Sequence, residues 1–122
     1  MRVMVIVKAT TESEDGKLPS SELLQQMGAF NQQLKDAGIL VEADGLKPSA
    51  KGARVAFSGL DRSVTKGPFP NVGELVAGYW IWKVGDLDEA IDWVKRCPNP
   101  MPGPSAIEIR PLYEMEDFDQ SM

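Results

Sequence analysis

The chain has 122 residues, 43% of them hydrophobic and 25% charged, which suits one globular domain over residues 1–122 and excludes a disordered segment. Its 13 basic and 18 acidic side chains leave a formal charge of −5, which argues against nonspecific nucleic-acid binding and against anionic membrane surfaces as partners. Histidine is absent, so Ser–His–Asp and Cys–His catalysis, histidine-ligated haem and the common zinc and non-haem iron sites are excluded; no metal or cofactor is expected, and acid–base work falls to Asp, Glu, Lys, Tyr or Cys.

In chain order, "RVMVIVKA" (residues 2–9) is β-branched and apolar on both faces and predicts a central strand covered on both sides. "TTESEDGKLP" reads as a polar loop. Ser20 is a candidate N-cap for a helix whose stripe Leu23, Met27, Phe30, Leu34 and Ala37 recurs at helical spacing, with Gly38 placed to end it. Residues 39–44 predict a second strand and residues 53–59 a third, with a short return strand begun by "SVT" at 63–65. Residues 74–84, rich in aromatic and β-branched side chains, predict the strongest strand. Asp86 and Glu89 resemble a capping box for a second helix that Pro98 stops. "PNPMPGP" predicts a stiff connector, residues 106–112 a last strand, and the acidic tail from about residue 113 a segment that frays or packs on a neighbour.

This order predicts an α+β, ferredoxin-like antiparallel sheet with both helices on one face. The other face then carries apolar residues, namely Met4 and Ile6 with either Trp80 and Trp82 or Tyr79 and Ile81. A second copy is the simplest cover, so a homodimer is expected. The polar strand residues pair by face: Arg2 with Lys8, Glu42 with Asp44, Arg54 with Ser58, and Glu108 with Arg110. Their convergence would make either an interfacial ion-pair network or a pocket. Cys97 cannot form an internal disulfide, and with a start that is not signal-like this suits a reducing cytosol. Its place at a helix C-terminus marks it as inert rather than nucleophilic.

The stretch "VTKGPFPNVGELVAGYWIWKVGDLDEAIDWVKRCPNP", together with "RVMVIVKA", "ADGLKPSAKGARV" and "IEIRPL", resembles the DGPF, or YCII-related, family over nearly the whole chain. The resemblance implies a dimeric α+β barrel from a bacterial source, with two sheets facing each other around a cleft. Lys66 stands where the family signature has aspartate, Asp44 takes an acidic position, and Lys47 replaces a common histidine. Two functions follow. The first is a homodimer that binds a small anionic or amphipathic molecule and is capable of metal-independent chemistry. Its cleft would be lined by Asp44, Arg54, Glu74, Tyr79 and Arg110, with Lys66 and Phe69 at the rim. The arginines would hold a carboxylate or phosphate, and Asp44 or Glu74 would act as general base if partly buried. The alternative is a noncatalytic interaction or regulatory module with transcriptional or signalling partners.

Overall fold

A computed structural model of the chain describes residues 1–118. Four strands, β1 (Arg2–Lys8), β2 (Leu40–Gly45), β5 (Val76–Lys83) and β6 (Ile107–Pro111), form one sheet in the order β2-β5-β1-β6. Every neighbouring pair is antiparallel, which is the ferredoxin-like arrangement. The long helices α2 (Ser21–Asp36) and α3 (Leu87–Lys95) share one face with the core. The predicted third strand leaves this sheet: β3 (Ala53–Ser58) pairs only with β4 (Asp61–Lys66), as a separate hairpin inserted between β2 and β5. Arg54 and Ser58 therefore do not converge with the strand faces of the main sheet.

The strand pleat decides which side chains go under the helices. Val3, Val5 and Val7 of β1 lie opposite Trp82, Trp80 and Gly78 of β5, and the three valines and both tryptophans are buried with Phe30, Leu34, Ile39, Val84 and Ala90. Met4, Ile6, Tyr79 and Ile81 consequently face away from α2 and α3. On that side Met4, Ile6 and Tyr79 are half-buried, and Ile81, flanked across the strands by Met4 and Glu42, is buried. Phe30 supplies the helix side of an aromatic cluster. Its ring meets those of Trp80, Trp82 and Trp93 edge-on at 6.1, 6.2 and 6.3 Å, a geometry the ring quadrupoles favour.

Helix ends follow from local chemistry. The Ser20 side chain accepts from the Leu23 amide at 3.1 Å. At the other end Gly38 takes φ +74°, the Gly38 N–H reaches the Lys35 carbonyl and the Ile39 N–H reaches that of Leu34, a Schellman arrangement that consumes two orphan carbonyls. Asp86 caps α3 by accepting from the Glu89 amide, while the Glu89 carboxylate turns back to the Gly85 N–H and not to that of Asp86.

Three local readings need correction. The polar loop contains the short helix α1 (Thr11–Glu14), closed by reciprocal Thr10 and Ser13 hydrogen bonds. The return strand β4 is six residues long, because its partner β3 offers a full ladder. Residues Val72–Glu74 form a 3-10 turn preceded by Asn71 at φ 62°, so β5 starts at Val76. The tail forms a further turn of helix, α4 (Met115–Phe118); residues 119–122 lie outside the described part.

Candidate functional site at the hairpin base

The hairpin leaves the sheet through two loops, and one serine ties them together. The Glu14 carboxylate accepts both the amide N–H of Ser49, at 2.9 Å, and its hydroxyl. With its proton committed to Glu14, the Ser49 oxygen accepts from the amide of Phe69 at 3.0 Å. The Gly67 N–H donates to the Gly52 carbonyl at 3.0 Å, and the Gly67–Pro68 peptide is cis. The close approach explains the glycine: a Cβ at position 67 would overlap the carbonyl of Ser49. Phe69 is thereby held half-buried, and the Arg54 guanidinium lies 4.0 Å from the centre of its ring, a cation–π contact.

Beside this stack is an open cleft of about 460 Å³, lined by Glu14, Lys47, Ser49, Lys51, Arg54, Phe69 and Glu74, with Leu46, Leu75 and Val76 as apolar wall. Three cations there face two carboxylates, and Glu14 is already engaged by Ser49. Arg54 has no carboxylate within ion-pair distance among the described residues; the ion pairs there are Arg2–Glu114 and Arg110–Glu108. A guanidinium stacked on a ring keeps its in-plane N–H donors free for a bidentate carboxylate or phosphate. The cleft thus sets unpaired cationic donors beside an apolar wall.

The seven residues singled out by sequence fall in four places. Arg54, Phe69 and Glu74 share the cleft. Lys66 does not join them: it pairs with Ala53, whereas Arg54 pairs with Thr65, so the pleat sends Lys66 to the opposite face of the hairpin. Asp44 and Tyr79 are cross-strand partners on the helix-free side of the main sheet. There the Tyr79 hydroxyl is 3.5 Å from a carboxylate oxygen of Asp44, and desolvation, then the charges of Glu42 and Asp44, push the phenol above its ordinary range. Arg110, on β6, pairs with Glu108 at 3.2 Å. The edges β2 and β6 are three strand spacings apart, about 14 Å, so a single chain cannot join Asp44 and Arg110 in one small pocket. Asp44 and Glu74 are both exposed, and the partial burial a general base requires is not supplied by one chain.

Sequence reasoning passed over Glu14 and Ser49, the pair that fixes Phe69. Glu14 sits in what read as loop, and the Thr10-x-x-Ser13 spacing of the capping box was the available signal. A second cleft, of about 330 Å³, opens between α2 and the β2 edge of the sheet, where Leu24, Met27, Pro100 and Met101 approach Trp80; the Trp80 indole N–H there donates to the Asn31 side chain at 2.8 Å. The proline-rich connector thus forms one wall of a cleft.

A model of the YCII-related domain matches residues 1–116. The chain belongs to the YCII-related family. This YCII-related protein is 26% identical over 107 residues to the uncharacterized protein R00369 of Rhizobium meliloti (strain 1021), a match covering 88% of this chain and 82% of that one. It is also similar in structure to the 5-chloro-2-hydroxyhydroquinone dehydrochlorinase TftG of Burkholderia phenoliruptrix AC1100, solved with 2,5-dihydroxybenzoquinone. That likeness has a TM-score of 0.51 at 15% identity, over 96% of this chain and 98% of the other, and it supports the α+β fold. No helix among the described residues is long and apolar enough to cross a membrane.

The lone thiol lies outside the cleft. Cys97 is half-buried, its S–H directed at the Pro98 carbonyl, and burial pushes its pKa up to about 11 from an ordinary 9.0. This leaves a roughly hundredfold smaller thiolate fraction at pH 8. Alkylation of the native protein by iodoacetamide at pH 8 should be slower than that of the denatured chain by about this factor. Equal rates would show that the thiol is freely solvated.

Proposed function

We propose that this protein binds a small anionic molecule with an apolar or aromatic body in the cleft at the hairpin base, as a homodimer. The observation that carries this reading is Arg54, an arginine without a carboxylate partner among the described residues, stacked on an anchored phenylalanine beside Lys47 and Lys51. The apolar helix-free side of the sheet supports the homodimer, since Met4, Ile6, Tyr79 and Ile81 are best covered by the same residues of a second copy. Arg110 and the Asp44–Tyr79 pair would then line the seam between the two sheets. Metal-independent turnover by Asp44 or Glu74 fits this assembly only if the second copy covers them.

The test is a thermal-shift titration with benzoate, other aromatic carboxylates and inorganic phosphate. A ligand at a hundred times its dissociation constant adds about 2.7 kcal/mol of stability. Arg54→Ala should weaken a responding ligand at least tenfold. Arg54→Lys should recover only part of the loss, because lysine keeps the charge and loses the planar fork. Undiminished binding by Arg54→Ala removes the cleft as the site. A flat response to all anions favours the alternative of a noncatalytic interaction module, for which the exposed apolar hairpin is the supporting observation.

A further inference from the structure

The β3–β4 hairpin poses a stability problem. All twelve of its strand residues are exposed. Its pleat sorts them cleanly: Ala53, Val55 and Phe57 share a face with Arg62, Val64 and Lys66. That face is apolar and basic. Phe57 is 70% exposed and Val64 63%, and Arg62 lies over the Phe57 ring at 4.5 Å. Two-stranded hairpins are marginal in water and require packing against something else to hold their shape.

A complementary surface exists on the same chain, and the hairpin leaves it uncovered. Residues 113–117, "YEMED", combine apolar and acidic side chains with no base, and Tyr113 and Met115 are 77% and 75% exposed. This segment is anchored beside the start of β1, through Leu112 N–H to the Arg2 carbonyl and the Arg2–Glu114 ion pair at 2.9 Å. The hairpin instead departs from the end of β1, where Val76 pairs with Lys8 and the Ala9 N–H meets the Leu75 carbonyl. The root of the hairpin and the acidic segment thus sit at opposite ends of a seven-residue strand, about 23 Å apart. A two-fold axis across the strands brings the hairpin end of one copy over the tail end of the other, and does so twice. The hairpin strands, six residues each, span about 20 Å, enough to lie along the partner.

We infer that the β3–β4 hairpin is an arm that docks its Val55, Phe57, Arg62 and Val64 face onto the acidic segment Tyr113–Asp117 of a second copy of this chain. The inference rests on the homodimer proposed above and adds where the arms go. It also links assembly to the cleft, because Arg54 sits at the root of the same arm.

The experiment is sedimentation equilibrium on the full chain with three variants, beside a cross-linking assay. The native protein should sediment as a dimer. Phe57→Ser and Arg62→Glu should each weaken dimerisation about tenfold or more, and Glu116→Arg combined with Arg62→Glu should recover most of the loss, which a misfolded hairpin could not do. In a Cys97→Ser background, mixed and oxidised Phe57→Cys and Met115→Cys chains should yield a disulfide between different chains, identified by mass spectrometry. A dimer indifferent to Phe57→Ser and Arg62→Glu, with no 57–115 link, overturns the arm and leaves the homodimer standing. Weakening without recovery in the charge swap overturns the pairing with Glu116. A monomer at all concentrations overturns both the arm and the dimer.

Discussion

Replacing Trp82 by alanine is expected to destabilise the protein by about 3–5 kcal/mol, a fall in midpoint of roughly 10–25 °C for a domain of this size. Trp82 has no solvent-exposed surface; it sits opposite Val3 and Leu40 on the two neighbouring strands and meets Phe30 and Trp80 through its ring. Its indole nitrogen is buried without a hydrogen-bond acceptor among the described residues. An unmet buried donor costs about 1–3 kcal/mol, and Trp82→Phe removes that cost while keeping most of the ring. The phenylalanine variant should therefore lose less than about half of what alanine loses, although it too leaves a void. Thermal or urea unfolding of the two variants checks this. Equal losses would show that the indole N–H is satisfied in the native state and that its bond, and not only the ring, contributes.

The second large effect is expected at Gly67. Gly67→Ala places a methyl group into the Ser49 carbonyl, and backbone, unlike the end of a flexible side chain, cannot step aside cheaply. The expected cost is about 1–3 kcal/mol, concentrated at the hairpin base. Ser49 must move, and it carries both the link to Glu14 and the acceptor for the Phe69 amide. Hydrogen exchange at the Phe69 amide should accelerate by roughly 5- to 30-fold for each one to two kcal/mol lost locally, and anion binding at Arg54 should weaken with it. The near-ultraviolet signal of the tryptophan cluster should stay native, because Trp80, Trp82 and Trp93 pack around Phe30 between the sheet and the helices and not against the hairpin. Unchanged Phe69 exchange would mean that the two loops are not held as one unit.

The main sheet was legible in the sequence because its signals are local and redundant. The valines of β1, the aromatic run of β5, the Ser20 and Asp86 caps and Gly38 each name their own element. What could not be read was partnership. Residues 53–66 have strand composition, and nothing in composition says whether a strand joins a sheet or pairs only with its neighbour. The face of β5 was likewise undecidable, since Tyr79, Trp80, Ile81 and Trp82 are all apolar enough to be buried; the register against Val3 and Val5 settles it. The candidate site shows the same division. Arg54, Phe69 and Glu74 were legible through their motif and do share a cleft. Lys66 was placed with them by proximity in sequence and is sent elsewhere by a one-residue change of face. Glu14 and Ser49 act across 35 positions, a separation that no short motif records.

The placement of β1 has a consequence for how the chain is made. The first strand to be synthesised is central, and both of its partners, β5 and β6, come from the second half of the chain. At about 5–20 residues per second, the ribosome needs roughly 5–20 s after Lys8 to deliver Pro111. Until Lys83 is made both hydrogen-bonding edges of this apolar strand are open, and until Pro111 is made one of them still is. Nascent chains of this protein should engage holdase chaperones through β1, and a variant shuffled so that β5 precedes it should be released from that dependence.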